Sequence, residues 1–502
     1  MDEMNADVAV IGAGAAGSAI AGEVLRAGLS VVLVEAGPHT TPGRFGRHLR
    51  NDGPGDDGLQ AFGQVMRTNL SHHGRSTGDH GDIEGFRVSH GPGGGMALWF
   101  NNCPEPEASE RNRAVPAEQW LHLLERARTA LSVGVQPSVR GERLERRIAG
   151  LLPAGPADRG VQPMPTAAVG TGADRRFVGA DDLLLGESAD LPAHASVLSG
   201  HVARRVVLAF GRVIGIEVHP AGGGVARMVR AEKYVVCAGA VGTPQLLQAS
   251  GLANEALGSY LMDHPMLMTR VALSSEVFTG APADDAPFSV WIPVRGDRTW
   301  HTQLSRTPYL PSLPDVPDAE TGDLISFGST SPDPANRLHF DPTRVDAFGL
   351  PAYRGTLRLD DGARQRRDAM ILDHVRLFEA LTRRGRPWTP TMPIGGTSLH
   401  LSGTHRMGRR DDGTSVADVN SQVWGVDNLY VGGNGLLSEP NACNPTLQTV
   451  ALALRSADHI VGRSPGSGSR THAGVGVSAS GPRERRSRPQ AHAAIRAAFH
   501  AS

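Results

Sequence analysis

The sequence predicts an α/β protein in two parts: one domain on a largely parallel sheet, and a second on one large sheet. Three observations predict it. Residues 7–37, DVAVIGAGAAGSAIAGEVLRAGLSVVLVEAG, run from an apolar stretch through a glycine cluster and a small-residue amphipathic stretch to a second apolar stretch. Residues 230–251, RAEKYVVCAGAVGTPQLLQASG, give a strand, a small-residue turn and a helix much later in the chain. Residues 266–394 instead hold segments that alternate apolar and polar residues, the two-residue period of half-buried strands.

The first element is a βαβ unit. Its short apolar run reads as a buried parallel strand. Gly12 permits the tight turn that follows, Gly14 lets backbone approach a pyrophosphate, and Gly17 lets helix and strand pack closely. The helix N-terminus then faces the phosphates. Glu35 ends the second strand, where a carboxylate accepts from both ribose hydroxyls. A lone GxGxxG is a weak signal. Strand, glycines, helix, strand and acid in order make a strong one, and the ligand is a dinucleotide. A dinucleotide fold assembled from segments scattered along the chain suits a long, extended FAD better than a nicotinamide cofactor, whose fold is usually one contiguous block.

Between these segments, 195–220 alternates like strands of a small sheet laid over the first, with glycine at a hairpin position. VPAEQWLHLLERARTALSV reads as a helix capped by Pro116, and GERLERRIAGLLPA as a second. The Pro/Gly-rich run that follows reads as a long connection. Residues 360–381 have helical spacing, with Ala369, Ile371, Leu372, Val375, Leu377 and Phe378 mostly on one face. SLPDVPDAETGD at 312–323 reads as a loop, either a lid or an ordinary surface segment. From Ser464 the chain is rich in Gly, Ser, Pro and Arg and reads as a disordered basic tail.

Composition excludes some functions. Lys+Arg total 50 against 51 Asp+Glu, a formal charge of -1, which argues against a nucleic-acid or membrane-surface protein. Cys103, Cys237 and Cys443 are far apart and odd in number, so neither a disulfide framework nor a Cys metal knot is expected, and a reducing, cytoplasmic setting is the default. The acidic N-terminus runs straight into a strand with no basic leader region, so no signal peptide is expected. No apolar run reaches membrane-spanning length.

The stretch SLHLSGTHRMG, 398–408, places His400 and His405 five residues apart. A metal pair would need further ligands, and no nearby carboxylate or Cys cluster supplies them. No metal site is expected. A satisfied structural histidine and a catalytic base both remain open on the residues alone.

GAGAAG…VEAG, CAGAVGTPQLLQASG, MDHP at 262–265, and the block VADVNSQVWGVDNLYVGGNGLLSEPNACNPTLQTVALALRSADHIVG together resemble the glucose–methanol–choline (GMC) oxidoreductases, over about residues 5–463. LHLSGTHRMG, NPTLQTVALA and WHTQLSR at 300–306 resemble the pyranose oxidases and bacterial glycoside 3-oxidases within that family. The resemblance implies an FAD-binding, Rossmann-like domain of the p-hydroxybenzoate hydroxylase type from 1–105, 191–265 and 395–463. It implies a substrate domain, on a large, mostly antiparallel sheet backed by helices, with insertions from 106–190 and 266–394. His400 matches the base that faces the flavin N5, and Asn444 matches its partner; His405 is then structural. A neutral imidazole accepts the hydroxyl proton as hydride leaves, and an amide holds the substrate oxygen without competing for that proton.

HGPGGGMALWFNNCP, 90–104, matches the loop that runs along the flavin, giving Gly94, Gly95, Met96, Trp99 and Asn101 as cofactor contacts, with Asn101 also near the substrate. In fungal pyranose oxidases a histidine of this loop bonds the flavin covalently. Aligned without a gap from Met96, that position holds Trp99, which cannot make the bond, so non-covalent FAD is expected. His90 lies earlier, at the wrong spacing. Val202, Gly433, Asn434, Pro445 and Thr446 complete the implied cofactor set. Gln303 matches a glutamine that contacts sugar hydroxyls, and Thr307 stands where the family has an aspartate. The implied reaction oxidises a secondary hydroxyl of a pyranose or glycoside at C2 or C3, with O2 or a quinone-type acceptor taking the electrons. A GMC alcohol or sterol dehydrogenase is one alternative; polar WHTQLSR argues against its apolar pocket. A non-catalytic flavoprotein is the other, and would be expected to lack His400 or Asn444.

Overall fold

The computed structural model describes residues 2–39, 43–52, 70–71, 80–153, 155–170, 174–188, 190–282, 285–296, 298–307, 310–383 and 395–463. The expected disordered tail lies outside the described residues.

β1 (Asp2–Ile11) is followed by α1 (Ala15–Arg26) and β2 (Val31–Glu35). β1 and β2 pair in parallel with Val8 opposite Val31, and every residue of β2 is buried, so the apolar runs fill the sheet's centre. β2 pairs in parallel with β3 (Ala195–Ser199), which lies some 160 residues later in sequence terms at the Val31↔Ala195 contact. β4 (His201–Ala209), β5 (Arg212–Pro220) and β6 (Arg227–Val236) then form an antiparallel meander, and β6 returns to lie parallel to β1 along its whole length. The resulting order is β4-β5-β6-β1-β2-β3. The strands of 195–220 therefore extend the first sheet instead of lying over it. The cause is β6, a ten-residue strand long enough to carry β5 at one end and a second partner at the other.

α2 (Ala117–Ala130) starts after Pro116 as expected, and α3 (Val139–Ala149) starts earlier than read, because Ser138 caps it by accepting from Gly141 N at 3.1 Å. The supposed long connection contains the short strand Gln162–Pro163, which joins the second sheet. α4 (Gly239–Ala249) follows β6 directly.

The second sheet has five strands, all antiparallel: β7 (Met266–Ala272), β8 (Ser289–Ile292), β9 (His301–Ser305), β10 (Thr321–Phe327) and Gln162–Pro163, ordered β7-β10-β9-β8-(162–163). Residues 321–323, read as loop, are the buried start of β10; Asp323 there holds Arg270 of β7. β11 (Arg337–Val345) and β12 (Pro351–Thr356) form a separate two-stranded sheet and do not join this one as their alternation suggested. α5 (Asp361–Leu381) backs the sheet, capped by Asp360, which accepts from Ala363 N at 2.6 Å. Its buried face is Ala363, Met370, His374, Leu377, Phe378 and Leu381, while Leu372 is 73% exposed. Leu377 and Phe378 are on the face the sequence reading gave, but it left out His374, whose side chain is buried by bonding Ser326 Oγ at 2.9 Å and Thr269 Oγ1 at 3.0 Å.

β13 (Leu429–Val431) completes the first sheet as a parallel neighbour of the Tyr234–Val236 end of β6. α6 (Thr446–Ile460), almost wholly buried, packs against α1.

Candidate active site

A cavity of about 620 Å³ lies between the two sheets. That volume is in the range of a cofactor pocket. It is lined by residues from the β1–α1 turn, the 86–102 loop, β4, α4, the second sheet, the His400 loop and the start of α6.

The glycine turn forms one wall. Gly12 has φ +99°, and a Cβ there would lie 2.4 Å from the Cys237 carbonyl oxygen. A Cβ on Gly17 would lie 1.8 Å from the Gly12 carbonyl oxygen. Both glycines are required by backbone packing. Gly14 differs. It lines the cavity, and a Cβ on it would meet nothing within 4 Å. The same holds for Gly95 and Gly433. Bare backbone thus faces the cavity from three separate segments, a cradle that side chains would fill. α1 starts just beyond Gly14 with no side-chain cap, so its first N–H groups remain available to an anion. Glu35 lines the cavity at the end of β2; its carboxylate accepts from Ala13 N at 3.0 Å and Gly37 N at 2.9 Å. Burial pushes its pKa up to about 7 despite these donors. This arrangement fits the pyrophosphate and ribose of a dinucleotide.

Gly94, Gly95 and Met96 form a tight turn laid against the glycine turn, where Gly93 N donates to Ala13 O at 3.0 Å. Trp99 lines the cavity, its ring fixed by Nε1 donating to Val178 O at 3.0 Å. His90 also lines the cavity, but its backbone packs on Gly37, at the Glu35 end. Val202, Gly433, Asn434, Asn444, Pro445 and Thr446 all line the cavity as well.

Two expected contacts lie elsewhere. Asn101 is fully buried outside the cavity lining, its amide donating to Ala167 O at 3.0 Å and Val178 O at 2.9 Å. Its φ of +60° breaks the alternation of the loop, so the neighbour Asn102 faces the cavity instead. Thr307 is also absent from the lining: its N and Oγ1 donate to Asp323 Oδ2 at 2.8 and 2.5 Å, within the buried Arg270–Asp323 pair.

The second sheet supplies the opposite wall. Gln303 on β9 accepts from Asn102 Nδ2 through Oε1 at 2.8 Å. Beyond it, Met266 and Met268 on β7, Ile325 and Phe327 on β10, and Leu310 line the cavity. The register pairs Met266 with Phe327, Met268 with Ile325, and Ile325 with Gln303. The wall is polar at the β9 edge and apolar at the β7 edge.

His400 lines the cavity and contacts two neighbours that the sequence reading did not single out, with a third histidine nearby. His264 Nδ1 lies 3.1 Å from His400 Nδ1. The Phe327 ring lies 5.5 Å from the His400 ring, centroid to centroid. His301, fully buried on the same face of β9 as Gln303, accepts from Trp291 Nε1 at Nδ1 (2.6 Å), which puts its own proton on Nε2. Asn444 and Gln303 stand beside that ring. Asn444 Oδ1 is buried beside the His301 ring, with no partner at full hydrogen-bond geometry. The signals are the histidines of MDHP and WHTQ.

Burial holds these rings neutral: His400 is pulled down to about 4 and His301 to about 3, and His264 well below its ordinary value. Asp263, next to His264, anchors the loop before His400: Gly396 N donates to it at 2.8 Å, as does Ser398 Oγ. His400 N in turn donates to Ser398 Oγ at 3.1 Å. Leu399, immediately before His400, is held at φ +60°. His405, in contrast, is sealed in packing. Its N donates to Gly435 O at 3.1 Å, its Nε2 is 3.3 Å from Gly432 O, and a Cβ on Gly435 would lie 2.0 Å from the ring.

Among the described residues, no group of three or more His, Cys, Asp and Glu is placed to hold a metal ion, and no helix is long and apolar enough to cross a membrane. Two GMC oxidoreductase family models match, the N-terminal one at residues 166–266 and the C-terminal one at 332–453; a lycopene cyclase model matches 7–60, around the glycine turn. The chain is 32% identical to a C-glycoside 3-oxidase of Arthrobacter globiformis, covering 90% of this chain and 94% of that protein. It is 28% identical to a pyranose 2-oxidase of Tricholoma matsutake, covering 76% and 74%. The crystal structure of pyridoxine 4-oxidase from Mesorbium loti shares the fold, with a TM-score of 0.63 at 18% identity over 90% of this chain and 98% of that one. The chain therefore belongs to the GMC oxidoreductases, FAD-binding enzymes that act on CH–OH groups.

Proposed function

We propose that the protein oxidises a secondary hydroxyl of a pyranose glycoside, at C2 or C3, to the ketone, using FAD held without a covalent bond. The observation that carries this reading is the convergence of His400, Asn444 and the Asn102–Gln303 amide pair on one cavity whose far wall turns apolar. Bound against the glycine turn, FAD supplies the hydride acceptor. His400, neutral through burial, takes the hydroxyl proton as the carbinol C–H bond breaks and the C=O bond forms. The Asn444 amide, on the cavity wall, donates from Nδ2 to the substrate oxygen and supports the charge that develops on it. Gln303 and Asn102 bind further hydroxyls. Met266, Met268, Leu310 and Ile325 then take a substituent that is not sugar, which favours a glycoside over a free sugar.

Trp99 stands in the cavity as a non-bonding contact, and His90 sits at the Glu35 end, away from a covalent role. The electrons leave to O2 or a quinone-type acceptor. The three buried, unpaired cysteines suit a reducing, cytoplasmic setting.

Two measurements test the reading. Acid precipitation should release all flavin into the supernatant; flavin in the pellet would overturn the non-covalent assignment. Under anaerobic conditions the flavin absorbance should bleach faster with phenyl β-D-glucopyranoside than with D-glucose. Bleaching by neither, but by a simple aliphatic alcohol, would replace the sugar reading with an alcohol dehydrogenase.

A further inference from the structure

We propose that His264 is a positioning residue: it accepts a hydrogen bond from His400 Nδ1–H and so holds the His400 ring in the tautomer whose Nε2 lone pair serves the cavity. The inference rests on the reading of His400 as the base. The two Nδ1 atoms are 3.1 Å apart, and one of them carries the proton between them. Which one it is decides whether His400 works. A proton on His264 Nδ1 makes His400 Nδ1 the acceptor. A neutral His400 then keeps its own proton on Nε2 and has no lone pair to offer a hydroxyl. A proton on His400 Nδ1 leaves Nε2 open.

The surroundings select the second arrangement. The Asn441 backbone carbonyl accepts from the His264 ring, and a neutral ring has one proton to give. With that proton committed to Asn441, His264 Nδ1 is left as an acceptor. His264 does not line the cavity, so the Nδ1 edge of His400 faces protein and its other nitrogen is the one available to substrate. The ring has little freedom to escape this choice. Asp263 ties down Gly396 and Ser398, Ser398 Oγ accepts from His400 N, and Phe327 packs against both His264 and His400, its ring 5.7 Å and 5.5 Å from theirs. MDHP thus acts through two adjacent residues. Asp263 fixes the backbone ahead of the base, and His264 fixes the base's proton. The logic is that of a metal-bound histidine oriented by its outer partner, with a second imidazole as the orienting group.

The test uses holoenzyme and two readouts. In protein labelled with 15N in its histidine rings, the signals lost in His400→Ala identify His400. They should report a protonated Nδ1 and an unprotonated Nε2; a protonated Nε2 in the wild type overturns the proposal without any His264 variant. The second readout is anaerobic flavin reduction by stopped flow, with phenyl β-D-glucopyranoside or D-glucose, whichever bleaches the flavin faster. His264→Leu should lower the limiting rate by about 10–100-fold, with substrate affinity and flavin content close to wild type. His264→Asn, whose amide oxygen stands where Nδ1 stood, should recover most of the rate. A wild-type rate in His264→Leu, or equal losses in the Leu and Asn variants, would overturn the positioning role. If His400→Ala itself reduces at the wild-type rate, the base reading fails instead.

Discussion

The cavity has two walls made in opposite ways. The cofactor wall is backbone: Gly12, Gly14 and Gly17 within six residues, with Glu35 at the end of the next strand. The substrate wall is side chain: Met266, Gln303 and Phe327 come from three strands and meet only through register. A wall of backbone needs specific residues at fixed spacing, so it leaves a local signature. A wall of side chains needs only the right face of a sheet, and its members are set by pairing over tens of residues. The first kind of site is read from one window of sequence; the second is read only after folding.

Substitutions separate the two walls. The largest effect is expected at Gly14→Val. No atom lies within 4 Å of the new Cβ and the backbone is not left-handed, so the chain should fold; the branched side chain would occupy the space for pyrophosphate. The protein should purify colourless, and stoichiometric FAD in this variant would break the reading of the glycine wall. Gly17→Ala is the contrast, since its Cβ would collide with backbone and the fold itself should suffer.

Next come the two histidines of one loop. His400→Ala should keep its flavin and slow anaerobic reduction by about 10²–10⁴-fold, the usual loss for a general base. His405→Ala should lower the melting temperature and leave the reduction rate near wild type, because its ring is held by Gly432 O and Gly435. The reverse pattern would exchange their roles.

On the substrate side, Asp323→Ala leaves Arg270 buried without its carboxylate and removes both Thr307 bonds. A loss of about 3–5 kcal/mol in unfolding free energy is expected, the cost of breaking a buried pair. Denaturant titration measures it, and a change under about 1 kcal/mol would show the pair to be dispensable.

The last effect is a slope with pH. His48, His374, His400 and His405 are each pulled down to about 4 by burial, and His301 to about 3. Unfolded histidines titrate near 6.5. The unfolded chain therefore binds more protons between about 6.5 and 4, so stability falls as pH falls through that window. Glu35 and Asp263 work in the opposite sense, raised to about 7 and about 6, and are outnumbered. Unfolding midpoints at pH 7, 6 and 5 should decline in that order; a rise would mean the buried carboxylates dominate.

The sequence made the parallel-sheet half legible because its strands are continuous apolar runs and its turns need glycine. His400, Asn444 and Gln303 were reached through motifs. Asn101 and Thr307 are not on the cavity lining, and the reasons are local. A left-handed φ at Asn101 hands the cavity to Asn102, and an unforeseen carboxylate, Asp323, captures Thr307. His264 and His301 carry no periodicity of their own. Their meaning lies in what stands 3.1 and 2.6 Å away, on residues that alignment along the chain does not bring together. The sequence reading leaves His374 off the face of α5 for a related reason: a buried histidine with two hydroxyl partners behaves as core.

The late arrival of β13 and α6 has a consequence for how the protein is made. β6 is synthesised with one end unpaired, and its parallel partner Leu429–Val431 follows almost two hundred residues later, with α6 later still. Until then α1 lacks the helix that covers it, and Gly433, Asn434, Pro445 and Thr446 are missing from the cavity. A nascent chain thus carries the recognisable nucleotide motif from its first turn at the ribosome yet has no enclosed place to retain the nucleotide. The C-terminal segment completes the nucleotide cradle, and until it emerges one side of β6 is an open strand edge that can pair with other chains.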